Sequence, residues 1–78
     1  MNPKMPTEYN IIDTLQEYYA AAVQKHALAV EIILKNPMSF HDHDAFYIAV
    51  ETQLKKLMDA KDCISGLLTV QGIMEDNA

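Results

Sequence analysis

Residues 35–44 read KNPMSFHDHD, and they are the one break in a chain whose apolar residues otherwise recur at helical spacing. The break has a mechanism. A residue that precedes proline is pushed out of the α region, so Pro37 obliges a first helix to end at about Lys35 or Asn36. Ser39, Asp42 and Asp44 then offer short side-chain oxygens that can cap a second helix. Working outward, the spacing predicts a helix over about residues 8–35, a turn over 36–43 and a second helix over about 44–74. Pro3 and Pro6 precede Thr7, an N-cap candidate, so residues 1–7 are expected to form a flexible segment ahead of a single helical domain over 8–75. Residues 76–78 are expected to fray. Glu31 with Lys35, and Glu51 with Lys55, are i,i+4 pairs in the favourable orientation. Gly66 is the weak point of the second helix, costing about 1 kcal/mol relative to alanine.

At 100° per residue, Ile12, Leu15, Tyr19, Ala22, His26, Val30 and Ile33 form one stripe of the first helix, with Val23 on its shoulder. Phe46, Val50, Leu54, Leu57, Ile64 and Leu68 form the matching stripe of the second. A connection this short makes the two helices antiparallel neighbours. The expected fold class is therefore all-α, an antiparallel two-helix hairpin.

A hairpin leaves much apolar surface over. The run ALAVEIIL, residues 27–34, is apolar on almost every side of its helix and is broken only by Glu31. Outside the stripes, Ile11, Tyr18, Leu28 and Ile32 lie on one flank of the first helix, and Ala60, Cys63, Leu67 and Met74 on one flank of the second. Patches of this kind mark interfaces, and these eight residues are the partner-binding candidates. A chain of 78 residues buries only roughly 60% of its unfolded surface, so it is expected to complete a four-helix bundle by dimerisation or to pair with a protein partner.

Composition narrows the function classes. Six basic against eleven acidic residues give a net charge of −5, which opposes contact with nucleic acid or an anionic membrane surface. Hydrophobic residues at 50% and charged ones at 22% are ordinary globular usage, so the body of the chain is expected to fold. No stretch approaches the ~20 apolar residues of a membrane span. The first ten residues carry no apolar core of a signal peptide, and one cysteine fits a reducing compartment, so the expected location is the cytoplasm.

Four places in the chain invite chemistry. His26 sits in the middle of the first apolar stripe, near enough to Gln53 across the hairpin for a hydrogen bond that would fix the helix register. His41, Asp42, His43 and Asp44 carry donor types suited to a divalent ion, but in a helix His41 and His43 would point about 200° apart, and His26 is roughly 15 Å away. A capped polar turn is the expected reading, with no metal and no cofactor. Cys63 has no histidine in a recognisable relation to it, and apolar neighbours would raise its pKa rather than activate it. Asp59 and Asp62 lie on a solvated face with no cleft to separate their pKa values. No catalytic residues emerge, and an enzyme is not expected. Tyr18-Tyr19 and Phe46-Tyr47 are expected as aromatic anchors of core or interface.

The segment DAFYIAVETQLKKLMDAKDCISGLL, residues 44–68, resembles the second helix of the small hairpin co-chaperones of type III secretion needles, with Tyr47, Leu57, Ala60 and Ile64 at the corresponding intervals. That resemblance implies a cytoplasmic adaptor that holds an aggregation-prone secretion subunit through its apolar face. The hairpin plan also resembles the dimeric RNA-loop-binding regulator of plasmid copy number, although Glu51, Asp59 and Asp62 on the outward face oppose RNA. The expected function is a small protein-protein interaction module acting through apolar helix faces as a homodimer: adaptor, inhibitor or chaperone-like. The alternatives are a needle-type co-chaperone and a metal-responsive helical module using the His41–Asp44 turn.

Overall fold

Pro37 ends one helix and Asp42 starts the next, and the remainder of the backbone follows from those two residues. In the computed structural model, which describes residues 8–77, helix α1 spans Glu8–Lys35, a single 3₁₀ turn spans Pro37–Ser39 and helix α2 spans His43–Asp76. The expectations for residues 1–7, including the Thr7 cap, lie outside the described residues. At the end of α1 the orphan carbonyls find local donors: Asn36 N–H donates to Ile33 O at 3.1 Å, and Asn36 Nδ2 donates to Ile32 O at 2.7 Å. Asp42 is extended, at φ −150° and ψ 166°, and its Oδ1 accepts from Ala45 N at 2.6 Å. Asp44 lies in the first turn of α2, at the positive end of the helix dipole.

The second helix is longer than the sequence spacing predicts. It continues through Gly66 to Asp76, and Asn77 caps it with an N–H bond to Ile73 O at 3.1 Å. Asp76, assigned to the frayed tail by the sequence, is thus helical. Of the i,i+4 pairs, Glu31 and Lys35 close to 2.6 Å on the exposed face.

The two helices pack antiparallel along a strict 3.5-residue repeat. On α1 the buried and half-buried row is Ile12, Gln16, Tyr19, Val23, His26, Val30 and Ile33. On α2 it is Phe46, Val50, Gln53, Leu57, Ala60, Ile64, Leu67, Gln71 and Met74. Alternating steps of four and three residues are the signature of a coiled-coil seam. The seam differs from the expected stripes at Leu15, Leu54 and Leu68, which are exposed, at Ala22, which lies one position off it, and at Gln16, Gln53, Ala60, Leu67, Gln71 and Met74, which take part in it. Large apolar side chains drew the expected stripes toward themselves, whereas the 3.5-residue geometry selects positions by spacing.

Two helices in contact along one line enclose very little. Among the described residues only Ile12 and Ala60, each 5% exposed, reach the interior. Phe40 and Phe46 close the turn end of the seam edge to face, with ring centroids 5.6 Å apart, and Tyr47 continues the aromatic row at 5.8 Å from Phe46.

Asp42→Ala should weaken the hairpin by about 1 kcal/mol, because it strips the Ala45 amide of its acceptor at the first turn of α2. Urea unfolding followed by circular dichroism checks this, and Asp42→Asn should recover most of the loss.

Candidate interaction surface

The expected pairing at the centre of the seam is present: His26 Nδ1 donates to Gln53 Oε1 at 2.7 Å, in a half-buried setting. This contact fixes the levels of the two helices. Seven residues earlier on α1 and seven later on α2, Tyr19 lies beside Ala60, and both line a depression of about 230 Å³ with Tyr18, Ala22 and His26 from α1 and Lys56, Asp59 and Cys63 from α2. Cys63 is exposed at this rim. Its thiol, through its charge on ionisation and its hydrogen bond to the neighbouring hydroxyl, pushes Tyr19 above the ordinary tyrosine value of 10.0; desolvation and Tyr18 act in the same direction. Tyr18 and Tyr19 meet edge to face at 5.2 Å.

The depression also shows which flanks share a face. Tyr18 and Ala22 belong to the row of α1 that runs Ile11, Leu15, Tyr18, Ala22, Lys25, Ala29 and Ile32, a second 3.5-residue repeat one position removed from the seam. Lys56, Asp59 and Cys63 belong to the row of α2 that runs Ala45, Ala49, Thr52, Lys56, Asp59, Cys63, Gly66, Val70 and Ile73. The two rows lie side by side on one broad face of the hairpin, which carries Lys25, Lys56 and Asp59 as its only charges among the described residues. The rows of the opposite face carry Asp13, Glu17, Glu31, Glu51, Lys61 and Glu75, interspersed with the exposed side chains of Leu34, Tyr47, Leu54, Met58 and Leu68.

Of the eight partner-binding candidates, Ile11, Tyr18, Leu28, Ile32 and Cys63 are exposed. Ile11, Tyr18, Ile32 and Cys63 lie on the broad face, while Leu28 lies on the back of α1, opposite the seam. Ala60, Leu67 and Met74 are corrected: they are buried or half-buried in the hairpin's own seam, because the 3.5-residue repeat turns their row toward α1. The sequence reading passed over Leu15, Ala22, Lys25 and Ala29 as members of an outer row. Their signal is the second run of four-three spacing, which a search for large apolar residues misses because Ala22 and Ala29 are small and Lys25 is charged.

At the turn, His41 Nε2 lies 3.2 Å from Asp42 Oδ2, and both side chains are largely exposed. Asp42 is committed through its other oxygen to the cap of α2. Among the described residues no group of three or more His, Cys, Asp or Glu side chains comes together as a metal site requires. A concavity of about 400 Å³ opens beside this turn, lined by Phe40, Phe46 and Tyr47, with Met38 at its lip and 93% exposed. No helix among the described residues is long and apolar enough to cross a membrane. Compared with protein-family models, curated proteins and solved structures, the chain matches none.

Replacing His26 alone by leucine should cost about 1–3 kcal/mol, because Gln53 is left half-buried without its donor. Replacing both His26 and Gln53 by leucine should cost far less than the two single changes together, and a double-mutant cycle by chemical denaturation measures the coupling.

Well below pH 10.0 Tyr19 is protonated in folded and unfolded chains alike, so its contribution to stability is intact. As pH rises through the raised folded value the unfolded state ionises first and stability falls. An alkaline spectrophotometric titration should find Tyr19 titrating late, and Cys63→Ala should move it back toward the ordinary value.

Proposed function

We propose that this chain is a small protein-protein interaction module whose apolar helix faces complete its core by helix-on-helix association, as a homodimer and toward a helical protein partner, in an adaptor, inhibitor or chaperone-like role without chemistry of its own. The observation that carries this reading is the mismatch between what the hairpin buries and what it leaves open. Among the described residues only Ile12 and Ala60 are buried, while fourteen large apolar side chains stay exposed, Leu28 at 56% and Ile32 at 54% among them.

The needle-type co-chaperone reading is the less favoured. Leu57, Ala60 and Ile64, which carry that resemblance, are turned into the seam against α1, and Tyr47 alone of the four is free to meet cargo.

Leu28 and Ile32 lie one helical turn apart, and each should contribute about 1.5–3 kcal/mol where fully covered by another chain. The double variant Leu28→Asp, Ile32→Asp should keep much of its helix content, since the seam residues are untouched, and should lose association. Sedimentation and circular dichroism on one sample read both. A wild-type chain that stays a stably folded 8.8 kDa monomer at rising concentration and captures no protein would overturn the reading.

A further inference from the structure

We infer that the occupant of the broad face is a second copy of this chain, docked about a two-fold axis that passes beside Ala22 of α1 and between Lys56 and Asp59 of α2. This deepens the interaction-module reading and rests on it. A two-fold interface is self-complementary: if one residue meets another across it, the reverse contact is made too.

The outer row of α1 has this property when it runs antiparallel against its own copy with Ala22 at the centre. Tyr18 then meets Lys25 of the second copy, an aromatic ring against a cation. Leu15 meets Ala29, a large side chain against a small one, and Ile11 meets Ile32. Ala22 meets itself, where a short side chain lets the helices approach closely.

The outer row of α2 gives an independent test of the same axis. Run antiparallel against its own copy, it pairs Lys56 with Asp59, Thr52 with Cys63, Ala49 with Gly66 and Ala45 with Val70. The only two charges of the row meet as opposites, and the other pairs are small. The centre of this pairing falls between Lys56 and Asp59, at the level of Leu57.

The hairpin itself joins the two results. His26 stands opposite Gln53. Four residues back along α1 is Ala22, and four residues on along α2 is Leu57, so the two centres lie at the same height. One axis perpendicular to the helices therefore serves both rows. It places α1 over α1 and α2 over α2 of the second copy, every neighbour antiparallel, in a four-helix bundle. The face also keeps the chain's net charge of −5 away from its twin, since Asp59 is its one acidic residue among those described.

The test uses charge reversal read as association. Lys56→Asp should weaken self-association about tenfold, because both symmetry-related contacts become acid against acid, and Asp59→Lys should do likewise with two lysines. An equimolar mixture of the two variants should associate as tightly as wild type, since each contact is then aspartate against lysine. Restoration on mixing cannot arise within a single chain. Leu68→Lys on the opposite face should leave association unchanged.

Thr52→Cys should yield a covalent dimer through Cys63 of the second copy on oxidation. Within one chain those positions are about 16 Å apart along α2 and cannot bridge. Wild type that sediments as a monomer while still capturing a helical protein would overturn this inference and leave the interaction-module reading standing. A dimer that resists both reversals, gains nothing on mixing and forms no Thr52→Cys cross-link would overturn the assigned face.

Discussion

Two cylinders touch along a line, and a side chain on that line is enclosed only as far as its flanks are covered. This constraint governs the hairpin. Its seam holds apolar residues along the full length of both helices, yet Ile12 and Ala60 are the only described ones to be buried, and neither completely. Where the apolar contribution is so thin, polar layers carry specificity. Gln16, Gln71 and the pair His26–Gln53 interrupt the apolar row at intervals, and a polar residue at a seam position selects one register over its neighbours. Gln16 Nε2 is buried with no hydrogen-bond partner among the described residues, a penalty that an apolar side chain would avoid and that marks the open end of the seam as its less settled half.

The same geometry explains how far the sequence could be read. Helix ends were legible because their causes are local: Pro37 acts on the residue before it, and Asp42 caps the amide of Ala45 three positions on. The lengthening of α2 past residue 74 was not, because nothing in the last residues stops a helix and Asn77 serves as a cap only in a conformation that the composition does not specify. The seam was legible in outline and wrong in detail. A straight helix stepped at 100° per residue drifts by about 20° per heptad from the 3.5-residue repeat, so a stripe drawn over 30 residues slides off the true one. Preference for large apolar side chains then pulled the choice to Leu15, Leu54 and Leu68, when the partners were Gln16, Gln53 and Leu67. His26 and Gln53 were found because a polar residue in an apolar stripe demands a named acceptor.

Two adjacent repeats on one helix have consequences for what the surface can accept. The outer row of α1 sets large side chains on either side of small Ala22 and Ala29, and the outer row of α2 is small throughout save for Lys56, Asp59 and its two last apolar residues, Val70 and Ile73. A flat membrane or a nucleic acid backbone calls for neither arrangement. Rods of matching period do, since knobs every 3.5 residues fit only holes with the same spacing.

The seam and the outer face are not independent, because their rows differ by a single residue position. A slip of the hairpin by one heptad would keep apolar residues against apolar residues through much of the seam. It would also carry Lys56 and Asp59 about 10 Å along the helix axis, away from the level of Ala22. The two rows of the broad face would then have different centres, and no single two-fold axis could serve both. Against such a slip stands the hydrogen bond from His26 to Gln53, which is made in one register only. A half-buried polar pair that adds little to stability thus determines whether the outer face is self-complementary, and the value of histidine over leucine at this position lies in the surface it aligns rather than in the seam it occupies.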